Sequence, residues 1–186
     1  MDRLLELLKK YSFEEREVVL SSGQRSTFFI DCKQTVLLAE GHLAAGRALL
    51  RAIDTLSRPV QAVAGVELGG CSLASAVSTL SAVDGRPLDA MYVRKELKDH
   101  GSGRWIEGGS HLAGERTVAV LEDVITTGGS TLRAVGRLNE LGFNVIGVIA
   151  LVDRCQGGKE IIAKEGLEFV SIYSRRDFLG KAQENA

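Results

Sequence analysis

Residues 118–131 read VAVLEDVITTGGST and place three features in a fixed order. The apolar run Val118–Leu121 predicts a buried strand, and two adjacent acids, Glu122 and Asp123, follow it directly. The turn after them is built from threonine, glycine and serine, which let several backbone N–H groups converge and add hydroxyl donors. A helix that begins beyond the turn contributes its partial positive charge. The stretch therefore predicts a strand–turn–helix unit that cradles a phosphate monoester.

The alternative is that this turn only connects a strand to a helix, with Ser130 as the N-cap residue. Glu122 and Asp123 argue against it, because adjacent carboxylates repel a nearby phosphate unless they have another partner. Ribose 5-phosphate meets both demands, with its hydroxyls at the acids and its phosphate at the turn. The chain has neither the lysine of a GxxxxGK[ST] loop nor a GxGxxG motif, so nucleoside triphosphates and dinucleotides are disfavoured.

Strand and helix patterns alternate along the rest of the chain. Apolar β-like runs predict strands at residues 60–66, 88–93, 117–121, 145–152 and 167–172. Helical spacing of apolar residues predicts helices at residues 2–10, 39–56, 73–83, 131–141 and 159–164. Two short runs, at residues 17–20 and 28–30, predict an N-terminal hairpin. The alternation predicts an α/β fold with a central, mostly parallel sheet flanked by helices.

Residues 95–116 interrupt this alternation with charged residues, five glycines and no sustained period. A long mobile loop is predicted there, and long loops inside compact domains are often lids. Up to four positive groups lie at its start: Arg94, Lys95, Lys98 and His100. A solvated charged loop is the plain alternative. A diphosphate leaving group, however, needs compensating charge, and charge-assisted hydrogen bonds contribute about 1.5–3 kcal/mol each.

Composition bounds the remaining classes of function. A chain of 186 residues suits one domain, and its net charge of −1 gives no sign of nucleic-acid binding. The three cysteines form no metal-binding spacing with the three histidines, so we expect reduced thiols and no protein metal site. We find neither an apolar run of membrane-spanning length nor a signal-peptide pattern, which predicts a cytoplasmic protein without a membrane partner.

Residues 118–131 resemble the 5-phosphoribosyl-1-diphosphate (PRPP) motif of type I phosphoribosyltransferases. Residues 92–101, YVRKELKDHG, are similar to the arginine-lysine-x-x-lysine-x-histidine-glycine signature of orotate phosphoribosyltransferases. Three further dipeptides match that family: Ser22-Gly23, Phe28-Phe29 and Asp153-Arg154. One motif alone indicates the superfamily, whereas the set indicates the orotate-specific family.

The resemblance runs from about residue 4 to residue 180 and implies the type I phosphoribosyltransferase fold. It implies one domain over residues 1–186, with a small N-terminal hood at roughly 1–35 and a flexible catalytic loop at roughly 95–116. It also implies a homodimer, in which this loop closes over the neighbouring subunit's active site. Many relatives carry a lysine where Ser21 stands, and some carry one near Gly69. Both are missing here, so binding should rely more on the loop's cations.

The resemblance implies transfer of ribose 5-phosphate from PRPP to orotate, giving orotidine 5′-monophosphate and diphosphate in pyrimidine (UMP) synthesis. Lys98 and Asp123 are the implied catalytic residues. The implied PRPP ligands are Arg94, Lys95, Lys98, His100, Glu122, Asp123, Val124, Ile125, Thr126, Thr127, Gly128, Gly129 and Ser130. The implied orotate ligands are Thr126, Arg154 and Phe29. Mg²⁺ is the expected cofactor, held mainly by PRPP oxygens.

Base recognition also has a physical argument. Orotate differs from uracil by a carboxylate, which the planar guanidinium of Arg154 matches with two parallel hydrogen bonds. The alternative for Arg154 is a surface ion pair with Asp153. Phe28 and Phe29 point to opposite faces of a strand, so we expect one ring in the core and the other, Phe29, against the pyrimidine. Two other functions remain open: transfer to another base, or PRPP-binding regulation on the same fold.

Overall fold

The computed structural model describes residues 2–19, 25–96, 104–109, 112 and 116–179, and at residues 17–19 and 25–26 it describes the backbone alone. The helices in these ranges are α1 (Arg3–Tyr11), α2 (Lys33–Val36), α3 (Ala39–Ile53), α4 (Gly69–Val83), α5 (Gly129–Glu140), α6 (Gly158–Lys164) and α7 (Arg175–Phe178). The strands are β1 (Phe13–Val19), β2 (Arg25–Ile30), β3 (Ala62–Val66), β4 (Asp89–Val93), β5 (Ile106–Glu107), β6 (Thr117–Ile125), β7 (Asn144–Asp153) and β8 (Glu168–Ser174). The predicted alternation of strand and helix is confirmed.

Six of the described strands form one sheet in the order β5-β4-β3-β6-β7-β8. Every pairing in it is parallel except that of β5 with β4, which confirms the predicted, mostly parallel sheet. Because β6 lies between β3 and β7, its carboxyl end stands in the middle of the sheet edge. Ligands of open α/β sheets bind at this edge, beyond the carboxyl ends of the strands.

Side chains of β6 alternate between two apolar cores on opposite faces of the sheet. Ala119 and Leu121 pack with residues of α1, α3 and α4, whereas Val118 and Val120 pack with residues of α5 and α6. All four are fully buried. Helices covering both faces explain why this strand is a continuous apolar run. Within the described part of the chain, none of the helices is long and apolar enough to cross a membrane.

An antiparallel hairpin of β1 and β2 precedes the sheet, as predicted, although both strands are longer than the apolar runs suggested. Phe28 is fully buried, and its ring centroid lies 5.2 Å from that of Phe13 and 5.7 Å from that of Phe178 in α7. Aromatic pairs of this kind contribute about 0.5–1.5 kcal/mol beyond their buried area. The cluster therefore attaches the hairpin to the helix that follows β8.

Some local features differ from the sequence prediction. Strand β6 continues to Ile125, so both acids lie inside the strand rather than after it. Helix α5 begins at Gly129 after Gly128, whose φ of 79° suits glycine, so the N-cap residue is Gly128 and the assignment of Ser130 as N-cap is wrong. Strand β5 lies within residues 95–116, which were predicted to be loop. Helices α2 and α7 have four residues each, too few to show a helical period.

Candidate active site

Glu122 of β6 is buried and bonded to the start of α5. Its Oε1 accepts a hydrogen bond of 2.8 Å from Oγ1 of Thr131, and its side chain is shielded from water. Burial raises the pKa of Glu122 to about 7, and the nearby Asp123 charge raises it too, while the Thr131 hydrogen bond acts in the opposite direction. Glu122 is thus a carboxyl group with a raised pKa, and the hydroxyl of Thr131 at the start of α5 helps to fix its position.

Asp123 lies against the first residue of α4. A Cβ atom on Gly69 would stand 2.0 Å from Oδ2 of Asp123, so a glycine is needed for this close approach. Burial raises the pKa of Asp123, and the charge of Lys33 is the largest effect opposing the rise. The ammonium of Lys33, in α2, lies 2.6 Å from Oδ1 of Asp31 and 4.0 Å from Oδ2 of Asp123.

Sequence reasoning missed Lys33. Its helix is too short to show a period, and Lys33 is 90 residues from Asp123 in a chain with many lysines and arginines. The one available signal was its place three residues after the end of the strand that carries Phe28 and Phe29. The acids on β6 therefore have a cationic neighbour from the N-terminal region as well as from the loop.

The bend of residues 126–128 joins these acids to α5, and it is supported from the next crossover. The N–H of Gly158 donates to the carbonyl oxygen of Thr126 at 3.1 Å, and the N–H of Arg154 donates to that of Ile125 at 2.9 Å. A Cβ on Gly158 would lie 2.4 Å from Cγ2 of Ile125. Thr127 and Gly129 remain exposed. The first N–H groups of a helix have no acceptor within it, so the bend can bind an anion from solvent.

Residues 94–95 and 105–107 lie together beside the same edge of the sheet. The N–H of Arg94 donates to the carbonyl oxygen of Trp105 at 2.9 Å, and Nε of Arg94 donates to Oε1 of Glu107 at 2.9 Å. Arg137 of α5 donates to the carbonyl oxygens of Arg94 and Lys95, and its guanidinium carbon lies 3.5 Å from the centroid of the Trp105 ring. Arg137 was also missed from the sequence, where it looked like one more polar residue on a helix.

Lys95 lies at the start of the loop, close to the acids. Its N–H donates to Oε2 of Glu67 at 3.1 Å, and its charge opposes the rise in the pKa values of Glu122 and Asp123. Two other predicted loop ligands, Lys98 and His100, lie outside the described residues. The part of the loop that the structure describes therefore brings Arg94 and Lys95 to the edge that carries the acids.

Arg154 follows β7, the strand beside β6. Its Nη2 donates to the carbonyl oxygen of Phe28 at 2.7 Å, while Oδ1 of Asp153 accepts from the N–H of Cys155 at 2.8 Å. The ring of Phe28 is in the core, as expected for one of the two phenylalanines. Phe29 is partly exposed, and the guanidinium carbon of Arg16 lies 4.1 Å from its ring centroid.

Four strand ends thus meet at one edge of the sheet. They carry the buried Glu122 beside the partly buried Asp123, the bend of residues 126–128, the cations Arg94 and Lys95, and Arg154, which donates to the carbonyl oxygen of Phe28. This fold and this site define a type I phosphoribosyltransferase, and residues 43–175 match the family described as Phosphoribosyl transferase domain.

Comparison with known proteins shows which family of phosphoribosyltransferases this chain resembles. The orotate phosphoribosyltransferase of Sorangium cellulosum is 59% identical over 178 residues, which cover 96% of this chain and 92% of that protein. That of a Synechocystis species is 47% identical and covers 94% of this chain and 86% of its own. A crystal structure of Mycobacterium tuberculosis orotate phosphoribosyltransferase in complex with PRPP aligns at a TM-score of 0.78 with 32% identity, covering 95% of this chain and 97% of that one. The chain belongs to the orotate phosphoribosyltransferase family.

Proposed function

We propose that this chain transfers the ribose 5-phosphate group of PRPP to N1 of orotate, forming orotidine 5′-monophosphate and diphosphate for UMP synthesis. The observation that carries the proposal is the acid pair Glu122 and Asp123 on the central strand, directly before the Gly128 bend. One site thereby offers acceptors for ribose hydroxyls and donors for a 5′-phosphate. Arg154, directly after the neighbouring strand, adds a cation for the orotate carboxylate.

Glu122 and Asp123 would bind the ribose hydroxyls of PRPP, and residues 124–130 would bind the 5′-phosphate. Displacement at the anomeric carbon passes through a state with positive charge on the sugar and negative charge on the diphosphate. An ionised Asp123 stabilises the sugar side of that charge separation. No covalent nucleophile is needed, since orotate N1 attacks the anomeric carbon as the bond to diphosphate breaks.

The cations Arg94, Lys95, Lys98 and His100 would neutralise the departing diphosphate, with Lys98 making the main catalytic contribution. Arg94 is positioned for this role by the Glu107 carboxylate, and Lys95 by the bond from its N–H to Glu67. Each charge-assisted hydrogen bond to the leaving group contributes about 1.5–3 kcal/mol, and more where water is excluded. This distribution suits a chain that lacks lysine at Ser21 and Gly69.

Base selectivity would come from Arg154, Thr126 and Phe29. Arg154 pairs with the carboxylate that distinguishes orotate from uracil, Thr126 reaches the base from the bend, and the partly exposed ring of Phe29 lies against the pyrimidine. The bonds between residues 125–126 and residues 154–158 support this arrangement, because they join the phosphate bend to the arginine that reads the base.

Mg²⁺ would be held mainly by PRPP. The site offers two carboxylates, Glu122 and Asp123, which is fewer than the six oxygen ligands that Mg²⁺ takes, so phosphate and ribose oxygens would complete its coordination. When bound, Mg²⁺ supplies charge neutralisation at the diphosphate. The cytoplasmic location stays a prediction.

The deciding experiment follows orotate absorbance after mixing the chain with PRPP and Mg²⁺. We expect turnover of orotate, and a loss of about 100-fold or more in kcat/KM for orotate in Arg154→Gln, since the proposed ion pair between the guanidinium and the orotate carboxylate is lost. Arg58→Gln, an exposed arginine beyond the other end of the sheet, is the matched control. Turnover of uracil or hypoxanthine without orotate would overturn the base assignment. PRPP binding without turnover of any base would indicate a regulator.

A homodimer with shared active sites belongs to the same proposal. If the loop acts on the neighbouring subunit, mixing Lys98→Ala chains with Arg154→Ala chains should restore part of the activity, because one site of each hybrid dimer has both residues. Absence of activity in hybrids that demonstrably form would contradict the sharing of sites.

A further inference from the structure

A second arginine lies beside Arg154 at the carboxyl end of the next strand. In the parallel pair of β7 and β8, Asp153 stands opposite Ser174, and each is followed by an arginine. Neighbouring strands are about 4.8 Å apart, so Arg154 and Arg175 leave the sheet edge side by side. Nothing in the sequence motifs pointed to Arg175, because β8 and α7 carry none of them.

Both guanidinium groups lie near the same aromatic ring. The guanidinium carbon of Arg154 is 5.5 Å from the centroid of the Phe28 ring, and that of Arg175 is 5.9 Å from it. Burial lowers the pKa of Arg154, and the charge of Arg175 lowers it further. Nε of Arg175 is buried and has no hydrogen-bond partner among the described residues. Two like charges held together in a half-buried place favour an anion between them.

Arg154 has part of its donor capacity committed within the protein. Its Nη2 donates to the carbonyl oxygen of Phe28, which leaves fewer N–H groups for a ligand than a free guanidinium offers. A carboxylate has two oxygens and about four lone-pair sites, enough to accept from two guanidinium groups. Arg175 has the unsatisfied donor that such a carboxylate needs.

We propose that Arg175 is a specificity-determining residue that binds the orotate carboxylate together with Arg154. The proposal rests on the proposed function and deepens it by adding a second cation to base recognition. The place between these two arginines would thus take the carboxylate of the base. The 5′-phosphate would bind instead at the bend that follows β6.

The test compares Arg175→Gln with Arg176→Gln, since Arg176 is an exposed arginine on the same short helix. In Arg175→Gln we expect KM for orotate to rise about 10- to 100-fold, the loss of one or two charge-assisted hydrogen bonds. KM for PRPP should stay within about twofold, and Arg176→Gln should match the unmodified chain. Arg175→Lys should recover part of the orotate affinity, because it restores the charge without the planar fork.

Calorimetric titration with orotidine 5′-monophosphate and with uridine 5′-monophosphate, which lacks the carboxylate, gives a second measurement that needs no turnover. Arg175→Gln should weaken only the former. Equal orotate KM values in Arg175→Gln and Arg176→Gln, or equal weakening of both nucleotides, would overturn the proposal, as would a rise confined to KM for PRPP. An unmodified chain that turns over uracil but not orotate would overturn the proposed function instead, and the role of Arg175 with it.

Discussion

Gly69 and Asp123 are in such close contact that a single added carbon would collide: a Cβ on Gly69 would lie 2.0 Å from Oδ2 of Asp123. The contact joins the first turn of α4 to the central strand of the sheet. Glycine, the smallest residue, leaves the space that this carboxylate occupies. The Asp123 carboxylate, which would bind ribose, can take this position because Gly69 at the start of α4 has no side chain.

Gly69→Ala should therefore displace the Asp123 carboxylate and weaken PRPP binding. We expect kcat/KM for PRPP to fall by about tenfold or more, because misplaced catalytic groups are costly even at displacements near 1 Å. Steady-state kinetics check this, with Gly136→Ala as the control, since a Cβ there meets no atom within 4 Å. Unchanged kinetics in Gly69→Ala would mean that the carboxylate moves without consequence.

The raised pKa of Glu122 leads us to expect that the stability of the protein depends on pH. Its pKa is about 7 in the folded protein against an ordinary value of 4.5, so the folded chain binds more protons between these pH values. The free energy of unfolding should consequently decrease as pH rises from 4.5 to 7, with Glu122 contributing a loss of about 3 kcal/mol. Glu122→Gln should remove this part of the slope.

Urea unfolding at several pH values from 4.5 to 8 measures this pH dependence of the unfolding free energy. The difference in unfolding free energy between the unmodified chain and Glu122→Gln should change across this range, whereas Glu140→Gln, at an exposed position on α5, should run parallel to the unmodified chain. Parallel curves for all three would show that the buried carboxyl group titrates normally.

Lys33 should hold Asp123 ionised at lower pH. Replacing it with methionine removes the largest effect that opposes the burial of Asp123, so the pKa of Asp123 should rise further. If PRPP binding needs the ionised carboxylate, the acid limb of kcat/KM for PRPP should move to higher pH in Lys33→Met. Lys9→Met, on the exposed face of α1, is the control. An acid limb at the same pH in both variants would assign Lys33 a role in structure alone.

Arg137 should keep the stem of the loop ordered. Its guanidinium covers the ring of Trp105, which is the single tryptophan of the chain, so fluorescence reports on this contact directly. In Arg137→Met we expect stronger quenching of tryptophan emission by acrylamide and faster hydrogen exchange near Arg94 and Lys95, whose carbonyl oxygens lose a donor. Arg133→Met, at an exposed position one turn earlier, should leave quenching as it was. Equal quenching in both variants would contradict the contact.

The sequence alone determined those features that depend on residues close together along the chain. The apolar run, the acids and the glycine bend of residues 118–131 lie within one strand–turn–helix unit, and helix and strand periods are likewise local properties. The alternation of these units was enough to predict the mostly parallel sheet, and the family motifs predicted which residues would bind PRPP and orotate.

Tertiary structure decided which distant side chains meet at that site. Lys33 reaches Asp123 and Gly69 makes room for it, Arg137 covers Trp105, and Arg175 comes to stand beside Arg154. These contacts depend on strand order, on register and on the path of each crossover, and residues that pack across a sheet share no periodic relation along the chain. The sequence around a lysine or a glycine does not show whether a carboxylate lies 4 Å away, because the packing of the whole core determines which residues are neighbours in space.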